Sequence, residues 1–416
     1  MGLTEARPPE GLYVHFPFCV SLCPYCDFVV VAGAEARGPR NRVAALLAAV
    51  HAELALRAAS LDERFGRDRP PLVSVYIGGG TPSLMAAGQV DALMEDVAAR
   101  LGIAADAEVT LEANPGADEL GDLAGFRVAG VNRLSIGAQS MHEAELRRLG
   151  RRHRAHDVVA ATASARRAGF DSVSLDLLTD VPGQTLGSWR ATLEAVLALA
   201  PDHLSVYALT LDDPDAEGLT GPDGDHLPVS RGARAWRERA ATEQSDERAA
   251  QVELLNDELT AAAGLERYEI ANLARPGHES RHNLLYWRRR PFLALGPGAH
   301  ASDGALTRSW NAARLDGYIE ALDRGRLPPG GAETVDAATA LAERAILGLR
   351  LTEGIDGSMA AAPGLAAGLD WAREHGLAED VGGRTRLTQQ GRLLANEVFS
   401  RLLPDGPAAA DHGSAA

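Results

Sequence analysis

The chain reads as an α/β protein, a partial (β/α)6 barrel carrying a small helical, winged-helix-like unit at its C-terminal end. Six short apolar runs alternate with amphipathic helical runs up to about residue 210, the pattern of a parallel sheet with helical crossovers. Polar and unusual residues collect at the C-terminal ends of those runs, the face that carries chemistry in barrels. Beyond residue 210 the alternation stops. Six units leave a barrel open on one side.

Residues 12–16 form the first strand, ended by Pro17, and a helix follows over 41–60. The second strand, 72–77, is cut off by Gly78-Gly79-Gly80-Thr81-Pro82, and a helix spans 89–101. The third, 108–112, stops at Asn114-Pro115-Gly116, and a helix over 118–129 leads to the fourth strand, 131–136. Helices at 143–149 and 156–168 precede the fifth strand, 172–178, and a helix over 186–200 precedes the sixth, 203–210. The Asp-, Gly- and Pro-rich stretch 212–228 reads as a loop. A helix is expected over 231–263, a short strand over 266–270 and mixed structure over 275–301. Residues 327–331 (LPPGG) read as a linker to a last unit over 335–403, with helices at 338–348 and 388–403 and a strand at 384–387. Residues 404–416 read as a disordered tail. This gives a core over 8–230, an extension over 231–330 and the C-terminal unit.

The composition, 46% hydrophobic and 24% charged, is that of an ordinary globular protein. A formal charge of −16 argues against general nucleic-acid or anionic-membrane binding. All 41 basic residues are Arg, a coding bias that makes arginine counts uninformative about anion sites. The start MGLTEARPPEG lacks an apolar signal core, and no uninterrupted apolar run has bilayer length, so neither export nor a membrane span is expected. No Gly-x-Gly-x-x-Gly turn follows the first strand, which weakens a dinucleotide-binding reading.

All three cysteines lie in one run, YVHFPFCVSLCPYCDF, as Cys19, Cys23 and Cys26 in C-x3-C-x2-C spacing. An odd trio on one loop cannot be a disulfide framework. It can hold three corners of a cubane iron–sulfur cluster, leaving one iron without a thiolate and open to a small molecule. A structural zinc with His15 as fourth ligand, a redox pair at Cys23 and Cys26, and inert buried thiols are the competing readings. Clustered thiols without disulfide logic suit a reducing cytoplasm.

C-x3-C-x2-C just after a strand resembles the signature of the radical S-adenosylmethionine (SAM) superfamily. The longer string resembles the branch containing oxygen-independent coproporphyrinogen III dehydrogenase and the HemW-type heme chaperones. The resemblance implies a radical SAM barrel with a 4Fe-4S cluster on Cys19, Cys23 and Cys26, whose open iron is chelated by SAM. Single-electron reduction of the sulfonium to a 5′-deoxyadenosyl radical is the chemistry it implies. It assigns cofactor contacts to Tyr13, Tyr25, Gly79, Gly80 and Thr81, and to Glu112, Gln139, Arg151 and Asp176. As a set they make physical sense: carboxylates suit the ammonium and ribose hydroxyls, an Arg fork suits the carboxylate, and the glycines admit close approach.

Two features separate the branches. The dehydrogenase branch has another cysteine two residues beyond the third, where this chain has Phe28, and a longer segment ahead of its cysteines, where this chain has 18 residues. His282-Asn283-Leu284-Leu285-Tyr286-Trp287 matches the chaperone branch's HNxxYW motif, proposed to bind heme. Imidazole is a common axial ligand of heme iron, and Tyr and Trp can flank a flat macrocycle. A capped turn with its aromatics in a core is the competing reading of the motif. His300, in GPGAH, also fits the family, and Arg288-Arg289-Arg290 could pair with heme propionates. The expectation is a cytoplasmic heme chaperone serving apo-hemoproteins, respiratory enzymes among them, with a homodimer possible and no nucleic-acid partner. The alternative is oxidative decarboxylation of coproporphyrinogen III.

Overall fold

The computed structural model of the chain describes residues 5–38 and 40–404. Strands β1 (Gly11–Phe16), β2 (Leu72–Gly79), β3 (Ile103–Ala113), β4 (Arg133–Gln139), β5 (Ser172–Thr179) and β6 (His203–Ala208) pair side by side, all parallel. Helices α1 (Val43–Phe65), α2 (Ala87–Leu101), α3 (Leu123–Val128), α4 (Glu143–Arg148), α5 (Ala155–Ala168) and α6 (Leu186–Leu197) fill the crossovers.

Strand alternation decides which side chains reach the interior. Leu12, Val14 and Phe16, then Ile77, Leu111, Ile136, Leu175 and Leu204, belong to the main apolar core under the helices. Each is worth about 1.5–3 kcal/mol when fully buried. The alternate residues Tyr13, Tyr76, Glu112, Arg133, Ser135 and Asp176 therefore face the inside of the barrel. A one-residue slip would exchange the faces and drive Arg133 and Asp176 into the apolar layer.

The sheet continues past both edges to twelve strands without closing. Beyond β6 lie β7 (Glu266–Arg267) and β8 (Asn272–Ala274), with β8 antiparallel to β6. Beyond β1 lie β9 (Phe292–Leu295), parallel to it, then antiparallel β10 (His300–Ser302), β11 (Thr307–Asn311) and β12 (Gly330–Thr334). Helix α1 is long and apolar enough to cross a membrane, unlike the reading from sequence, yet Leu46, Val50 and Leu54 pack in the core. Its Glu53, fully buried, accepts hydrogen bonds from Arg57 (2.7 Å), Asn311 (2.8 Å), Tyr318 (2.7 Å) and the Gly296 amide (3.0 Å), tying α1 to the added strands.

Several boundaries differ from expectation. The helix expected over 231–263 is two, α7 (Arg231–Ala241) and α8 (Asp246–Ala262), because Ser245 caps a new N-terminus at Arg248 N. Residues 118–122 lie outside α3, whose N-cap is Asp122. The stretch 275–301 holds α9 (Arg281–Trp287) as well as β9, and α10 (Leu315–Asp323) follows β11. Of the expected linker, Gly330 and Gly331 begin β12; a Cβ on Gly331 would strike the Trp310 ring.

The last unit has its own core around Ala345, Leu349, Leu369 and Val398. Helices α11 (Ala337–Arg350), α12 (Gly357–Ala360) and α13 (Ala366–Glu374) accompany a three-stranded antiparallel sheet of β13 (Ile355–Asp356), β14 (Ala378–Val381) and β15 (Arg384–Leu387), a winged-helix-like arrangement. The helix expected over 388–403 breaks at Leu394 into α14 (Gln389–Leu393) and α15 (Ala395–Ser400). Arg392 reaches Asp257 of α8 at 2.7 Å, so the unit packs against the rest of the chain. The expected tail lies, beyond Pro404, outside the described residues.

Candidate functional site

The loop after β1 carries Cys19, Cys23 and Cys26, free and partly exposed, at the mouth of a cavity of about 440 Å³ inside the barrel. The Cys19 thiol lies 3.2 Å from Thr81 Oγ1, and Arg151 approaches Cys23 Sγ at 3.9 Å. Arg237 of α7, itself buried, donates to the carbonyls of Cys26 (2.8 Å), Pro24 (3.3 Å) and Tyr25 (3.4 Å), so the loop is clamped from outside. Burial pushes the Cys19 thiol up to about 11, which disfavours a bare thiolate there. Among the described residues no three metal-ligating side chains converge as a single ion needs. His15, the candidate fourth zinc ligand, is engaged elsewhere: its ring meets Tyr13 Oη at 2.9 Å and the Val29 carbonyl at 2.8 Å. Three spread thiols on one loop fit the corners of a cluster better than a tetrahedral ion.

The glycine run has a packing reason that sequence reasoning missed. A Cβ on Gly79, whose φ is +112°, would stand 2.5 Å from the His15 ring. One on Gly80 would stand 2.7 Å from the Phe18 carbonyl, and one on Gly78 2.8 Å from the Tyr76 ring. The run lies directly against the cysteine loop, with Gly80 N donating to Phe16 O and Thr81 N to Phe18 O.

Tyr25, Gly79, Gly80, Glu112, Gln139, Arg151 and Asp176 all line this cavity. Glu112 accepts from Tyr76 Oη (2.8 Å) and the Gly79 amide (2.9 Å), and burial lifts its carboxyl to about 7. Asp176 accepts from Ser135 (2.9 Å) and Ser174 (3.2 Å), and burial raises it as well. Arg151 donates to the Gly137 carbonyl (2.9 Å) and to Asn114, leaving its fork beside the cysteine loop. Gln139 takes φ +63° where the β4–β5 register shifts, which turns its side chain into the cavity.

The other three expected residues lie elsewhere. Thr81 is buried behind Cys19, accepting from Asn114 Nδ2 at 2.9 Å. Tyr13 lines a second cavity of about 580 Å³ beside β1, bounded by the added strands and by α9 and α11. His282 lines neither cavity. It is buried beneath the barrel, one ring nitrogen 2.9 Å from Ser74 Oγ and the other 2.8 Å from Tyr286 Oη. Burial holds its ring down at about 3, so both nitrogens of a neutral imidazole are used within the fold. Its helix is seated by Glu108, which accepts from the backbone amides of Arg281 and His282 (3.1 Å each). The following Tyr286 and Trp287 do reach the second cavity.

An open barrel with an unpaired cysteine trio beneath a glycine-rich neighbour is the build of a radical SAM protein, and residues 13–196 match the Radical SAM superfamily. Relatives narrow the class. The heme chaperone HemW of Mycobacterium tuberculosis is 36% identical over 95% of both chains, and that of Bacillus subtilis 32% over 95% of this chain and 99% of its own. The Escherichia coli HemW is 35% identical over 75% of this chain and 76% of its own. The chain belongs to the HemW family of heme chaperones. Its fold is shared with the coproporphyrinogen III oxidase (HemN) of Escherichia coli, at a TM-score of 0.76 and 23% identity over 95% of this chain and 90% of that one.

Proposed function

We propose that the protein binds heme, carries a 4Fe-4S cluster with SAM, and delivers heme to apo-hemoproteins in the cytoplasm. The observation that carries this reading is the adjoining pair of cavities in a chain related to heme chaperones. One stands over three free thiols with carboxylate and arginine side chains in its wall, and the other is lined with aromatic and arginine side chains. In this reading Cys19, Cys23 and Cys26 hold the cluster, which when bound supplies single electrons to the sulfonium of SAM. Arg151 holds the carboxylate of SAM, Glu112 its ammonium and Asp176 its ribose hydroxyls, with Gln139, Tyr25, Gly79 and Gly80 enclosing it. Thr81 positions Cys19, and Tyr13 lies on the wall of the second cavity. His282 acts as a positioning residue that sets Tyr286 through their hydrogen bond.

Residues 8–230 form the radical SAM core that carries the cofactors, 231–330 the extension with the HNxxYW motif, and 335–403 the C-terminal unit. Clients include respiratory hemoproteins, and the working form is a homodimer. The test is anaerobic reconstitution, hemin titration and transfer to an apo-hemoprotein. Formation of the decarboxylated product from coproporphyrinogen III, without heme transfer, would replace this reading with the enzymatic one.

A further inference from the structure

The second cavity has no assigned occupant, and its walls describe one. Phe28, Tyr286, Phe292, Leu306 and Leu347 give it broad apolar faces, and Phe28 is 63% exposed for want of a covering group. Solvent-exposed Phe of that degree inside a concavity is a contact surface without a partner. Trp287 Nε1–H is buried with no acceptor, a donor whose desolvation is unrelieved. Arg289, Arg290 and Arg308 stand around it, paired with Glu343 (3.0 Å), Glu10 (2.7 Å) and Glu333 (2.7 Å) respectively. A flat apolar ligand with a carboxylate edge would satisfy both features.

The same cavity holds a histidine pair built on one carboxylate. Asp225 takes His300 Nε2 on one oxygen at 2.8 Å and His226 Nδ1 on the other at 2.9 Å. His300 also stacks on Trp310, with ring centroids 6.0 Å apart at 24°. A carboxylate that accepts one imidazole N–H fixes the tautomer, leaving the remote nitrogen a lone pair and raising its basicity as a metal ligand. His300 Nδ1 and His226 Nε2 make no hydrogen bond among the described residues, and both rings line the cavity. The contrast with His15 and His282, whose nitrogens are all engaged, is complete.

We propose that this lateral cavity is the seat of the heme cargo, with His300 as iron ligand, His226 as its alternate, and Asp225 as the residue that positions both. The inference rests on the heme-binding reading above and goes beyond it by choosing the cavity and the ligand. The propionates then face the arginine rim, and one macrocycle face covers Phe28.

Hemin and metal-free protoporphyrin IX are titrated into the anaerobically reconstituted full chain, following the Soret band. His300→Ala combined with His226→Ala should weaken hemin at least tenfold and abolish the histidine-ligated spectrum, leaving metal-free protoporphyrin within a few-fold of wild type. Added imidazole should restore the spectrum in His300→Gly. Asp225→Asn should weaken hemin roughly tenfold, and Phe28→Ala should weaken both ligands. Hydrogen exchange on wild type, which needs no variant to fold, should show hemin protecting residues 286–308 and not 133–139. Hemin binding with an unchanged spectrum in the double variant, or protection confined to the barrel interior, overturns the inference and leaves the heme-binding reading standing. A wild-type chain that binds no hemin overturns both.

Discussion

The cofactor cavity draws its walls from successive strands of one sheet, whereas the lateral cavity gathers Tyr13, Phe28, Tyr286, His300, Arg308 and Leu347 from six separate segments. In the first, Glu112, Ser135 and Asp176 sit on the inner faces of strands whose outer faces are core, so their directions follow from strand alternation. In the second, direction follows from tertiary contacts such as Glu53 bridging α1 to β11, which no local pattern encodes. Chemistry built on a repeated element can be read from the chain; a site built between elements has to be seen.

The sharpest way to break this comparison is to remove one cavity's function and watch the other. Cys19→Ala should abolish bound iron and sulfide after anaerobic reconstitution, by metal and sulfide analysis, while hemin still binds, more weakly than to wild type. Loss of hemin binding altogether would mean a single site. Next in size, Arg237→Met removes three bonds to loop carbonyls and should lower stability by about 3 kcal/mol, with faster cluster loss to a chelator. Unfolding in urea and chelation kinetics check it; full cluster retention would show that the clamp is idle.

His282→Ala should lower stability by about 2 kcal/mol, from the stranded Ser74 and Tyr286 hydroxyls and the void beneath the barrel, and leave the hemin spectrum unchanged. A lost Soret feature would return His282 to the ligand set. Because its folded pKa of about 3 lies below the ordinary 6.5, the neutral ring's contribution is whole above pH 6.5 and is lost as pH falls towards 3.

Smallest, and confined to the cofactor cavity, is the titration of Glu112. Its carboxyl is raised from 4.5 to about 7 by burial, so it is protonated below that point and only the ionised form attracts an ammonium. SAM affinity should therefore fall by up to roughly tenfold per pH unit below pH 7. Glu112→Gln should flatten that slope in calorimetry, and hemin affinity should not follow it. For stability the sign is the reverse of the usual carboxylate: the protonated group is favoured in the fold, so its contribution is whole below pH 4.5 and is lost as pH rises through 7.

The six barrel strands and the cysteine loop were legible in the sequence because strand–helix alternation and short spacings are local properties, whereas Glu112, Gln139, Arg151 and Asp176 were marked by the family resemblance and lie together on the cavity wall. The break between α7 and α8 was not, since Ser245 stops one amphipathic run and caps the next with no glycine or proline at the junction. Nor was β12: Gly330 and Gly331 read as a linker when the residue requiring them, Trp310, lies twenty positions earlier. The motif around His282 could be matched by letter, but only burial shows its imidazole spent on Ser74 and Tyr286. The histidines of the Asp225 pair, His226 and His300, are far apart in the chain, and no spacing rule joins them.

Asp27 and Phe28 belong to the linings of both cavities. They follow Cys26 directly, so whatever anchors that sulfur also tensions the partition. In the proposed reading, a cluster that fixes Cys26 also fixes Asp27 and Phe28, and with them a wall common to both cavities.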